Sequence, residues 1–192
     1  MITGVRFERI LVTCAISSAD IPSSELDVII TSCSFALNVI RASSALFPLE
    51  FLEIQEHHRV LGGRDPFVGF HVDVSRVADA VKQGLAGHVL RLRQRFAETG
   101  GANDAVMILL PLAVTSTVPL LRGIQRMRGW PVLTQSDAVI KDVADRLQID
   151  LQGLHEALML KRGIISPGPS EVPRVFDRYV KATTMLSEAL HR

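Results

Sequence analysis

Residues 105–121 (AVMILLPLAVTSTVPLL) run seventeen positions without a charged side chain, and any fold of this chain must bury much of that stretch. A bilayer crossing needs about 20 apolar residues. This run is shorter, and Pro111, Pro119 and the hydroxyl triplet Thr115-Ser116-Thr117 interrupt it. It therefore reads as the buried central helix of a globular protein, not a membrane span. Each proline should bend it by deleting a backbone donor, with the hydroxyls near enough to satisfy carbonyls that Pro119 frees. An apolar share of 47% against 21% charged residues supplies the rest of a core, and 5% aromatics makes that core mainly aliphatic.

Helices are expected on both sides of this run. Residues 62–66 (GGRDP) are a strong break and the natural domain boundary, giving a head at 1–66 and a second domain at 67–192. Beyond the break, Val77, Val81, Leu85, Val89, Leu92 and Phe96 form one helical stripe that ends at Gly100-Gly101. The central helix spans about 103–127. A third helix follows the candidate caps Thr134 and Ser136, with Ala138, Val139, Val143 and Leu147 on its face. A fourth carries Leu151, Leu154, Leu158 and Leu160 and stops at Gly163. The last follows the connector 164–169 (IISPGP) and presents Val175, Tyr179, Ala182, Met185, Leu186 and Leu190. Five amphipathic helices in series predict a helical bundle.

The head reads differently. Residues 5–13 look like a helix end running into a strand, and 34–45 (SFALNVIRASSA) like a short helix. In 22–30 (PSSELDVII), Glu25 and Asp27 stand two apart at the mouth of a β-branched run, so a strand would point both carboxylates from one face. Glu50, between Leu49 and Phe51 in 47–54 (FPLEFLEI), belongs to a second strand-like run that could pair alongside. Three carboxylates gathered on one sheet face can hold divalent cations for phosphoryl or nucleotidyl transfer. The charge is uneven: residues 1–66 carry five Lys/Arg against eight Asp/Glu, and residues 67–192 carry sixteen against twelve. An acidic site facing a mildly basic half suits metal on one side and phosphate on the other.

These residues resemble the signature of the polymerase-β-like nucleotidyltransferase superfamily, in which an acidic-apolar-acidic triplet opens a strand. PSSELDVII fits that triplet, with Glu25 and Asp27 as its first and second acids and Glu50 as the third, or Glu53 in its place. FPLEFLEIQEHHRVLGGRDPF is similar to the end of bacterial nucleotidyltransferase heads, where a strand and turn precede an all-helical domain. Thr13-Cys14 stands where the family has Gly-Ser, and nineteen residues separate Ile30 from Glu50, so the head is shortened. The resemblance implies an α+β fold: a small mixed-sheet head followed by the helical bundle. It also implies Mg²⁺-dependent transfer of a nucleoside monophosphate from a nucleoside triphosphate to an acceptor hydroxyl. Glu25, Asp27 and Glu50 would be its catalytic and magnesium-binding residues. The alternative is a non-catalytic helical interaction or dimerisation module that retains a remnant head, since a shortened sheet leaves edges that invite a second copy.

Other signals are structural. Adjacent side chains such as His57-His58 rarely serve one ion, so a polar turn or interdomain contact is expected there. Arg91, Arg93 and Arg95, and Arg122, Arg126 and Arg128, each close a helix where cations favour the macrodipole. His71, His88, His155 and His191 have no ligand spacing. Cys14 and Cys33 read as reduced core thiols of a cytoplasmic protein. Neither a phosphate-cradling glycine loop, nor a nucleophile elbow, nor a nucleic-acid recognition pattern is present.

Overall fold

The computed structural model describes residues 10–13, 29–31, 43–62, 65 and 67–190. The chain divides into two compact units, 1–76 and 77–192.

In the first unit, β1 (Ile10–Thr13) lies between β2 (Ile29–Thr31) and β3 (His58–Gly62), and both pairings are parallel. Leu11 aligns with Ile29 on one side and Arg59 on the other, and the β1–β3 register slips between Val12 and Thr13. The segment expected as the second acidic strand is instead helix α1 (Pro48–His57). Pro48 sits in its first turn, where no backbone donor is lost, and Glu50 there complements the positive helix end. Glu50, Glu53 and Glu56 recur every three residues, a helical spacing that the local Leu49/Phe51 alternation disguised. The small mixed sheet of an α+β head is therefore overturned. The described residues are mostly helical, and the three short strands among them are all parallel. Phe67 and Phe70 form a buried pair, edge to face at 5.6 Å, against which Phe51, Ile54 and Val72 pack. Residues 14–28, with Glu25, Asp27 and Cys14, lie outside the described residues, as do Cys33 and most of 34–45.

The second unit is a helical bundle. Helix α2 (Val74–Glu98) starts where Asp73 Oδ1 accepts the Ser75 amide at 2.9 Å. Its buried stripe is Val77, Val81, Leu85 and Leu92, and His88 takes the place expected for Val89. Gly100 and Gly101 end it with φ of +60° and +72°, left-handed values that spare glycine the usual Cβ clash. Helix α3 (Asn103–Met127) contains both prolines and buries Val106, Leu110, Val114, Leu121 and Ile124. Its hydroxyls do not go to the carbonyl freed by Pro119, which belongs to Thr115. Each bonds its own i−4 carbonyl instead: Thr115 to Pro111 (2.8 Å), Ser116 to Leu112 (3.0 Å) and Thr117 to Ala113 (3.0 Å).

Helix α4 (Ser136–Leu147) begins one residue earlier than a Ser136 cap would place it and makes no side-chain cap bond. A left-handed Gln148 then turns the chain into α5 (Gln152–Lys161), whose first turn is capped by Asp150 Oδ1 accepting the Gln152 amide at 2.8 Å. Helix α6 (Val172–Ala189) buries Val175, Phe176, Tyr179, Ala182 and Leu186. Phe176 stacks on Phe96 of α2 at 4.2 Å. Gly153 of α5 meets the backbone of Arg178 and Tyr179 in α6, an approach that leaves no room for a Cβ.

Candidate functional site

The carboxylates proposed as metal ligands do not form a cluster among the described residues. Glu50 is exposed in the first turn of α1, and Glu53 follows one turn on along the same helix. Glu25 and Asp27 lie outside the described residues. No group of three His, Cys, Asp or Glu side chains among the described residues is placed to hold a metal ion.

His58 opens β3, and its ring is fully engaged. Nδ1 lies 2.9 Å from the Gln55 carbonyl and Nε2 3.1 Å from Asp65 Oδ1, while the ring packs 4.7 Å from Phe67. Asp65 Oδ1 also accepts the Phe67 amide at 2.8 Å. These are polar contacts of the kind expected around His57-His58.

Sequence reasoning assigned His88 no role, yet it joins a buried cluster drawn from three helices. Thr117 Oγ1 of α3 and Tyr179 Oη of α6 are 2.8 Å apart, and His88 Nε2 of α2 lies 3.0 Å from Tyr179 Oη and 3.1 Å from Thr117 Oγ1. Thr117 donates to the Ala113 carbonyl, so it accepts from the Tyr179 hydroxyl, and the Tyr179 oxygen then accepts from His88 Nε2–H. Burial, followed by the nearby Arg91 charge, pulls His88 from 6.5 down to about 4. Burial raises Tyr179 far above the ordinary phenol range, against a smaller lowering by Thr117. A neutral imidazole and an un-ionised phenol, both shut away from solvent, pin helices together and have no access to a substrate. Only a hydrophobic stripe broken by one histidine hinted at this cluster.

Arg122, near the end of α3, also acts structurally. Arg122 donates through Nε to the Leu133 carbonyl at 3.1 Å and through Nη2 to the Thr134 carbonyl at 2.6 Å, holding the α3–α4 connection. Buried Gln125 bridges the same connection, accepting the Leu133 amide and donating to Asp142, which Arg146 also engages. A cavity of about 360 Å³ beside α6 is lined by Arg174 and Arg178 against Glu156 and Glu171, a charge-balanced wall in which Arg178 already pairs with Glu156 at 2.7 Å.

A different kind of surface lies on α3. Ile108 and Leu112, one turn apart, are 67% and 59% exposed, and Leu90 of α2 is 68% exposed. Thr115 and Ser116 continue this face, but their hydroxyls are turned back onto the helix backbone, which lowers its polarity. Among the described residues α3 is the helix long and apolar enough to cross a membrane, with half of its most apolar window buried inside the protein. No protein-family model, curated protein or solved structure matches this chain.

Proposed function

We propose that this protein is a non-catalytic helical interaction module that pairs with a second copy of itself through the outward face of α3. The observation that carries the reading is the pair Ile108 and Leu112, largely exposed on a helix whose opposite side is the core of the bundle. Large apolar side chains set one turn apart, with no polar group competing between them, are what a partner helix packs against.

The charge pattern favours a second copy over another partner. A two-fold interface sets each residue near the axis against its own kind, so like charges there repel. Residues 105–121 carry none. An antiparallel α3–α3 contact centred on Leu112 sets Ile108 opposite Ser116 of the second copy, a large side chain over a small one. Nucleotidyl transfer gains no comparable support, because Glu50 lies on a helix and no carboxylate cluster occurs among the described residues.

Sedimentation velocity on the full chain tests the reading. The wild type should sediment as a dimer at micromolar concentration, and Leu112→Glu should give a monomer with an unchanged helical circular-dichroism spectrum. A wild type that stays monomeric at every concentration overturns it. So would saturable Mg-nucleotide binding that disappears in Asp27→Ala.

A further inference from the structure

The cavity beside α6 is lined by two carboxylates and two guanidinium groups, and the fold uses only part of them. Glu156 is spent: Oε2 takes Arg178 at 2.7 Å and Oε1 takes Gln152 Nε2 at 3.0 Å. Arg174, by contrast, has no hydrogen-bond or ion-pair partner among the described residues. Glu171 accepts the Gly168 amide on Oε2 at 3.1 Å and leaves Oε1 open. These two residues stand three apart at the start of α6, a spacing at which opposite charges commonly pair, yet no ion pair joins them. The Ser166 hydroxyl on the cavity wall is also without a partner, and Ile165 and buried Val175 supply an apolar surface. We infer that this cavity binds a free α-amino acid with an aliphatic side chain.

The charge balance selects the ligand. A lone anion drawn to Arg174 would lie against the carboxylates of Glu156 and Glu171, and a lone cation drawn to Glu171 would meet both arginines. A zwitterion answers both signs at once. Its carboxylate accepts from the Arg174 guanidinium and the Ser166 hydroxyl, and its ammonium donates to Glu171 Oε1. An aliphatic side chain then covers Ile165 and Val175, which removes apolar surface from water. The volume of about 360 Å³ lies near the lower end of the range of small-molecule sites, in keeping with a ligand of this size. The wall is also fixed in advance. Pro167 and Pro169 stiffen the connector, and Asn103 Nδ2 holds it by donating to the Pro169 carbonyl at 2.8 Å. Binding therefore spends little on ordering the site. The cavity shares no residue with the exposed face of α3, so it stands or falls independently of pairing between copies.

Titration of the isotope-labelled full chain with L-leucine, followed by nuclear magnetic resonance, tests the site. The amide signals of Ser166, Gly168 and Arg174 should shift saturably, with a midpoint at or below about 1 mM. Isocaproate, which is leucine without its ammonium, and isoamylamine, which is leucine without its carboxylate, should each bind at least about tenfold more weakly, the scale of losing one charge-assisted bond. Arg174→Gln should weaken L-leucine by a similar factor with an unchanged helical circular-dichroism spectrum. Lys181→Gln, exposed farther along α6, should leave binding as it was. Absence of a saturable shift up to about 10 mM L-leucine overturns the proposal. So does isocaproate binding as tightly as L-leucine, or undiminished binding by the Arg174→Gln variant.

Discussion

At the scale of single residues, the interior of the bundle is governed by a few polar atoms that had to find one another. Thr117, Tyr179 and His88 are each at most 5% exposed, and together they leave no donor among the three bonding atoms unused. Replacing Thr117 with valine keeps the shape but removes the acceptor of the Tyr179 hydroxyl and strands that donor. The expected cost is about 1–3 kcal/mol, read from urea unfolding at neutral pH. His88 carries a pH signature as well. The folded protein holds it neutral down to about pH 4, whereas the unfolded chain takes up the proton near 6.5. The unfolded state therefore binds more protons between those values, and stability must fall as pH drops through that window. The full effect is about 3 kcal/mol at 1.36 kcal/mol per unit. It is present above about pH 6.5 and gone near pH 4. Denaturation curves across that range should show it in the wild type and lose most of it in His88→Gln.

At the scale of elements, glycine shows how one substitution changes sign with its neighbours. Gly153→Ala would push a methyl group into the Arg178 carbonyl, forcing α5 and α6 apart. The loss should exceed the gain of up to about 1 kcal/mol that alanine brings to a helix interior. At Gly87 in α2 the nearest atoms belong to the flexible Arg91 side chain, so the same change should stabilise by a few tenths to about 1 kcal/mol. Thermal melts of the two variants should move in opposite directions. Elements of this kind were legible in the sequence wherever one apolar face repeated: Val77-Val81-Leu85 in α2 and Leu154-Leu158 in α5, with Leu151 just before it, are buried as their spacing foretold. Legibility failed where a short run satisfied two periods. Residues 47–54 offer apolar neighbours two apart, which reads as a strand. Their glutamates are three apart, which reads as a helix, and packing of Phe51 and Ile54 against Phe67 and Phe70 accompanies the second. β3 was hidden because His58, Arg59 and Val60 lack the alternation of a half-buried strand. The triad of His88, Thr117 and Tyr179 could not be foreseen, since its members lie 29 and 62 positions apart and meet only once three helices have packed.

At the scale of the whole molecule, the division at residues 76 and 77 nearly coincides with the start of α2. The helices of the second unit bury side chains from Val77 to Leu186, and the polar cluster joins three of them. A fragment beginning at residue 72 would keep Asp73, whose carboxylate caps the first turn of α2 through Ser75. That fragment is therefore expected to fold alone, with a helical circular-dichroism spectrum and a single cooperative urea transition. Because the exposed face of α3 belongs to the same unit, the fragment should also dimerise, and its melting temperature should rise with concentration as mass action requires. Ile108→Lys, placed where 67% of the side chain faces solvent, should abolish that concentration dependence while leaving the dilute-limit melting temperature within a degree or two. A cooperative fragment whose melting temperature ignores concentration would separate the two properties: the bundle would stand as a folding unit, and the α3 face would lose its assignment as the contact between copies.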